Sequence, residues 1–173
     1  MNFLQTKINE MKKRKEEGNK GFSLVELIIV IAIMAILVGI VGTQVIPYIN
    51  KSKESKDLQI INSFSTAAVS SYSENADKIS ATTGTITINV YGSNSGDAST
   101  LAEAIKEKTY KNSGAVFGQA AAGSTAATPS KMKSKKGKTI TDVKITINLD
   151  DKTVTTQAMA GSTAIFDAVE ATL

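Results

Sequence analysis

Between Leu27 and Val41 every residue is apolar or glycine. Extended from Phe22 to Ile46, the run covers 25 residues, roughly 38 Å of helix at about 1.5 Å per residue. A hydrocarbon layer of about 30 Å is crossed with room to tilt. A helix apolar on every side must be surrounded, and 173 residues leave little other protein to wrap it. The run therefore predicts membrane insertion rather than a buried core helix. Lys7, Lys12, Lys13, Arg14, Lys15 and Lys20 precede it, against Glu10, Glu16 and Glu17. That excess of positive charge keeps the N-terminus cytoplasmic and puts the C-terminal part outside.

An ordinary secretory signal does not fit. Its apolar region is shorter, and Thr43-Gln44-Val45-Ile46-Pro47 offers no small-residue cleavage site after the run. The small residue suited to a peptidase, Gly21, stands before the run, on the cytoplasmic side. Glu26 is out of place for a simple anchor, because a carboxylate costs about 2.5–3.5 kcal/mol at mid-bilayer. Two explanations stay open for it: an end position that reaches the interface, or a charged partner in an assembled state.

Composition removes most catalytic classes. The chain has no cysteine and no histidine, so thiol nucleophiles, disulfides, zinc-thiolate sites and imidazole proton shuttles are all excluded. No nucleophile–base pair, phosphate-cradling glycine loop or paired-carboxylate constellation is visible. We expect no enzyme, no cofactor and no metal. Asp142, Asp150 and Asp151 lack the regular oxygen-ligand spacing of a calcium loop, and a polar hairpin turn accounts for the last two. The net charge of +4 sits mainly in the first 21 residues, which makes nucleic acid an unlikely primary partner.

Gly21-Phe22-Ser23-Leu24-Val25-Glu26, behind a basic leader and ahead of a long apolar run, resembles the prepilin signal of type IV pilins. The resemblance implies cleavage by a prepilin peptidase between Gly21 and Phe22, and N-methylation of the new Phe22 amine. It also implies that Glu26 sets register in the filament by neutralising the terminal amine of a neighbouring subunit. An ammonium and a carboxylate meeting in an apolar core offset each other's desolvation. The lack of cysteine looks more like a Gram-positive, clostridial-type major pilin. Many pilins place a proline near the middle of the apolar helix; here it is displaced to Pro47, with Gly39 and Gly42 in the corresponding stretch. Either residues 39–47 are where the helix loosens in the filament, or the small residues allow close helix packing.

Four segments follow: a cleaved leader at 1–21, an apolar half-helix at 22–49, an amphipathic half-helix at 50–78 and an extracellular head at 79–173. Asn50 to Asp57 reads as a solvated helix, with Lys53 and Asp57 paired at i,i+4. The stripe Leu58, Ile61, Phe64, Ala68 and Tyr72 should face a core, flanked by Ile60 and Ala67. Period-two alternation predicts a strand at 85–91 and a hairpin built on Val143, Ile145, Ile147 and Leu149, with the return at 153–157. Thr100 and Glu103 suggest a capping box opening a short helix. Ser113 to Pro129 reads as an exposed loop, and Ser162 to Thr172 as a short helix or a segment docked on the sheet. The fold class is thus α+β, a long N-terminal helix packed on an antiparallel sheet, which is also what the pilin resemblance implies.

Lys131, Lys133, Lys135, Lys136 and Lys138 fall within eight residues. They read as a solvated basic loop or as a polyanion contact multiplied along a fibre. DNA, a teichoic acid or an acidic neighbouring subunit would each serve, although no aromatic or arginine accompanies the lysines for base stacking. The leading expectation is the major subunit of an extracellular type IV pilus, held in the membrane first. Its partners would be copies of itself, the peptidase, the assembly machinery, and host or bacterial surfaces. Adhesion, aggregation, biofilm formation and twitching motility follow from the resemblance. The alternatives are a pseudopilin of a secretion or DNA-uptake system, and a membrane-anchored binding module that does not assemble.

Overall fold

The computed structural model describes residues 3–18, 23–118 and 130–173. Two compact units are present, residues 1–46 and 47–173. The first contains α1 (Phe3–Gly18) and α2 (Leu24–Ile40), followed by a π-helical turn at Val41–Val45. None of the residues of α2 is buried. The helical backbone runs on from Leu24 to Glu74, its last part being α3 (Ile46–Glu74).

In the second unit, α3 lies with β1 (Thr85–Asn89), α4 (Asp97–Lys108), α5 (Ser113–Phe117), β2 (Asp142–Asn148), β3 (Thr153–Ala160), β4 (Thr163–Ala164) and β5 (Val169–Thr172). β1 pairs antiparallel with β2, setting Ile86 opposite Ile147 and Ile88 opposite Ile145. β2 pairs antiparallel with β3, setting Ile147 opposite Val154. The far edge of β3 takes both β4 and β5, again antiparallel. The architecture is the α+β class expected, a long N-terminal apolar helix followed by an antiparallel sheet.

Alternation along β2 buries Val143, Ile145 and Ile147 completely, and β1 adds Ile86 and Ile88. Against them lie Ile61, Phe64 and Ala68 of α3 and Leu101 and Ile105 of α4, all without solvent exposure. Each such side chain contributes about 1.5–3 kcal/mol by leaving water. Phe64 meets Tyr91 edge-on at 6.2 Å, and Tyr91 meets Phe117 likewise at 5.7 Å.

Several local expectations are corrected. The buried face of α3 runs 57-61-64-68-71, so its centre includes the polar Asp57 and Ser71, and Leu58 and Tyr72 sit at its margin. Asp57 is therefore not a solvated partner for Lys53. The helix stops at Glu74, where Asn75 folds back and donates from both its backbone and its side chain to the Ser71 carbonyl. α4 begins three residues before Thr100, after Gly96 at φ 56°. Asp97 then occupies its first turn and accepts from the Ser80 and Ala81 amides. Within the stretch expected as a loop, Ser113–Phe117 is a short helix capped by the Asn112 side chain, and Val116 and Phe117 are buried. Residues 119–129 of that stretch lie outside the described residues. Of the two readings of the C-terminal tail the second holds: it docks on the sheet as β4 and β5, both paired with β3, and Phe166, between them in sequence, is buried.

Candidate functional site

The start of α2 is closed by its own sequence. Ser23 is extended (φ −62°, ψ 139°), its Oγ accepts from the Val25 amide at 3.3 Å, and its amide donates to Glu26 Oε2 at 2.9 Å. This reciprocal cap satisfies amide donors that the first helical turn leaves open, and it puts the carboxylate near the positive end of the helix dipole. Glu26 thus has an intrachain partner in addition to the two explanations weighed above. The Ser-x-x-Glu spacing is the sequence signal of this cap. Gly21 and Phe22 lie outside the described residues.

Gly39 and Pro47 flank the π turn and Gly42 lies within it. Pro47 has no N–H to give to the carbonyl four residues back, and its ring crowds that carbonyl. The helix widens there: the Ile46 amide reaches Val41 O, five residues back. Thr43 Oγ1 adds a bond to Gly39 O at 3.0 Å. A Cβ at Gly39 or Gly42 would meet nothing within 4 Å, so no contact inside the chain requires glycine at either place.

Far along the chain, the lysine segment is docked rather than loose. Asp57, fully buried, accepts from the Lys133 amide through Oδ1 and from the Ser134 amide through Oδ2, each at 2.8 Å. Ser134 Oγ in turn accepts from the Gly137 amide at 2.8 Å. A Cβ on Gly137 would overlap Asp57 Oδ2, so the close approach of this backbone to the carboxylate requires glycine. Met132, Ser134 and Gly137 point inward, while Lys131, Lys133, Lys135, Lys136 and Lys138 are all exposed. Lys131 Nζ lies 5.2 Å from the centre of the Tyr110 ring, Lys133 Nζ donates to Ser130 O, and Lys136 Nζ is 3.5 Å from Glu54. The structure thus places all five lysines on one docked segment.

The remaining acidic residues are tied to backbone. Asp142 Oδ1 accepts from the Tyr91 and Val143 amides; burial still pushes its carboxyl above the usual aspartate range, against those two donors. Asp150 accepts from Gly84, and Asp151 from the Asn148 side chain at 2.6 Å. Among the described residues, no three acidic side chains converge on a point where a cation would sit. An open groove beside β1, lined by Thr85, Thr87, Asn89, Ser93 and Asp97, has hydroxyls and amides but its one carboxylate is already bound to two amides.

Residues 18–42 match the family described as the prokaryotic N-terminal methylation motif, the type IV pilin signal. No curated protein and no solved structure matches the chain. The matched segment takes in the Ser23–Glu26 cap and the whole of α2, and leaves the head outside it.

Proposed function

With the N-terminal methylation motif as premise, we propose that the chain is the major structural subunit of a type IV pilus. The observation that carries this reading is the motif at 18–42 containing a whole helix, α2, with no buried residue. Such a helix is stable only in lipid or packed among copies of itself, so leaving the membrane and polymerising exchanges one burial for another. In this account residues 1–21 are a leader removed between Gly21 and Phe22 by a prepilin peptidase, which also methylates the Phe22 amine. The segment 22–49 crosses the membrane and then forms the filament core. The segment 50–78 carries the head, 79–173, to the fibre surface.

The prepilin sits in the cell membrane with its N-terminus in the cytoplasm, and the assembled form is extracellular. Glu26 exchanges its intrachain cap for the ammonium of a neighbouring Phe22 when the filament forms. Gly39, Gly42 and Pro47 mark where the helix loosens to fit the bundle. Adhesion, aggregation, biofilm formation and twitching are the tasks such a fibre supports, with the assembly machinery supplied by other proteins.

Two variants of Glu26 test the assembly step. Glutamine keeps an acceptor for the Ser23 amide and lacks the charge, whereas alanine lacks both. Fibres sheared from cells should contain the wild-type chain as their main component, and both Glu26→Gln and Glu26→Ala should abolish them. Wild-type fibre yield from Glu26→Gln would reduce Glu26 to a helix cap and overturn the charge-pairing step. Wild-type chain that is processed but stays in the membrane fraction would replace the pilus by the pseudopilin reading.

A further inference from the structure

We infer that Ser23 is a positioning residue for removal of the leader. By ending α2 at its own side chain, it keeps the carbonyl of the Gly21–Phe22 bond out of the helical hydrogen-bond ladder and open to attack. The inference rests on the cleavage proposed above and names the residue that presents the bond.

In an α-helix each amide N–H is given to the carbonyl four residues back. A helix running back into the leader would therefore give the Val25 N–H to the Gly21 carbonyl and the Glu26 N–H to the Phe22 carbonyl. α2 does neither. The Val25 amide donates to Ser23 Oγ at 3.3 Å, and the same oxygen takes the Glu26 amide in the reciprocal cap. The ladder opens one residue later, with the Leu27 amide donating to the Ser23 carbonyl at 3.1 Å.

The other half of the cap acts in the same direction. The Ser23 amide, which a longer helix would give to Asn19, donates to Glu26 Oε2 at 2.9 Å. Ser23 itself is extended, at ψ 139°, so the backbone leaves the helical path there. One Ser-x-x-Glu unit thus takes up three amides that would lengthen the helix across the scissile bond. Gly21 weakens a helix but offers no side-chain acceptor to close one.

Hydrolysis needs a free carbonyl at this point. Water adds to the Gly21 carbonyl carbon and the C–N bond breaks, leaving a Gly21 carboxylate and a Phe22 amine that takes the proton. As charge builds on the carbonyl oxygen, it must accept hydrogen bonds from the peptidase. An oxygen held by Val25 inside a helix cannot turn to them.

The test uses the full chain in detergent with a purified prepilin peptidase, and mass spectrometry follows the loss of residues 1–21. Removing an N-cap shifts the helix boundary by about fivefold toward the longer helix. Only chain with the bond presented binds productively, so Ser23→Ala should raise KM by about two- to fivefold and leave kcat unchanged. Ser23→Asn, whose carboxamide oxygen caps without a hydroxyl, should return KM to the wild-type value. Alpha-carbon chemical shifts of Gly21 and Phe22 should move toward helical values in Ser23→Ala and return in Ser23→Asn.

An unchanged KM in Ser23→Ala, or a raised KM with unmoved shifts, would overturn the inference. A loss that Ser23→Asn leaves unrepaired would do so too, by making the hydroxyl itself the group the peptidase reads. The proposed processing fails separately: wild-type chain left whole, or cut at another bond, would refute it. Wild-type chain cut after Gly21, with Ser23→Ala cut as readily, would refute the role of Ser23 alone.

Discussion

At the scale of single residues, two aspartates of the head act in opposite directions. Asp97 is held below its ordinary value of 3.8 by the Ser80 and Ala81 amides, which bind the ionised form. Its contribution to stability is complete above 3.8 and is lost as the pH falls through the lowered value. Asp142 is raised by burial, so its ionised form is penalised in the folded head; that penalty is absent below 3.8 and complete once the pH exceeds the raised value. Urea unfolding of the full chain in detergent, across pH, separates them. Asp97→Asn should lower the midpoint near neutral pH, with the gap closing on acidification. Asp142→Asn, whose side-chain oxygen still accepts from Tyr91 and Val143, should raise the midpoint near neutral pH and lose that advantage in acid. Legibility at this scale follows the kind of partner. Glu26 and Ser23 were readable from their spacing. The role of Asp57 was hidden, because its partners are backbone amides 76 and 77 positions away and an amide leaves no mark on the sequence.

At the scale of elements, α2 and α3 are parts of one helical stretch under opposite demands. Phe64 has no exposure and packs on Tyr91 and Tyr110, whereas Ile33 of α2 is half exposed and packs on no buried cluster. Phe64→Ala should cost the head about 3–5 kcal/mol, and Ile33→Ala should change it by less than about 0.5 kcal/mol, both read from urea unfolding in detergent. Comparable losses from the two would mean that the apolar helix and the head do not divide their roles in this way. The hairpin and β1 were legible, since burial on one face imposes a period of two over five or more residues. β4 and β5 were not. They are two and four residues long, their exposure pattern shows no fully buried position, and only an existing edge of β3 makes strands of them. α4 starts earlier than the Thr100–Glu103 spacing suggests, because Gly96 at φ 56° turns the chain into the helix at Asp97 without a side-chain cap for the sequence to display.

At the scale of the whole molecule, the chain joins a helix that cannot be satisfied alone to a head that can. The head has its own contiguous core of strands, α3 and α4. The apolar helix has every residue exposed, and the methylation motif covers its start and nearly its full length. In the function proposed above, removal of residues 1–21 frees an amine for Glu26 of a neighbouring subunit, and assembly follows from that cut. Intact-mass measurement with N-terminal sequencing, on the chain recovered from sheared fibres, tests it most directly. The account predicts a chain beginning at Phe22 and heavier by one methyl group than residues 22–173. Recovery of a chain still carrying Met1 to Gly21 would contradict it.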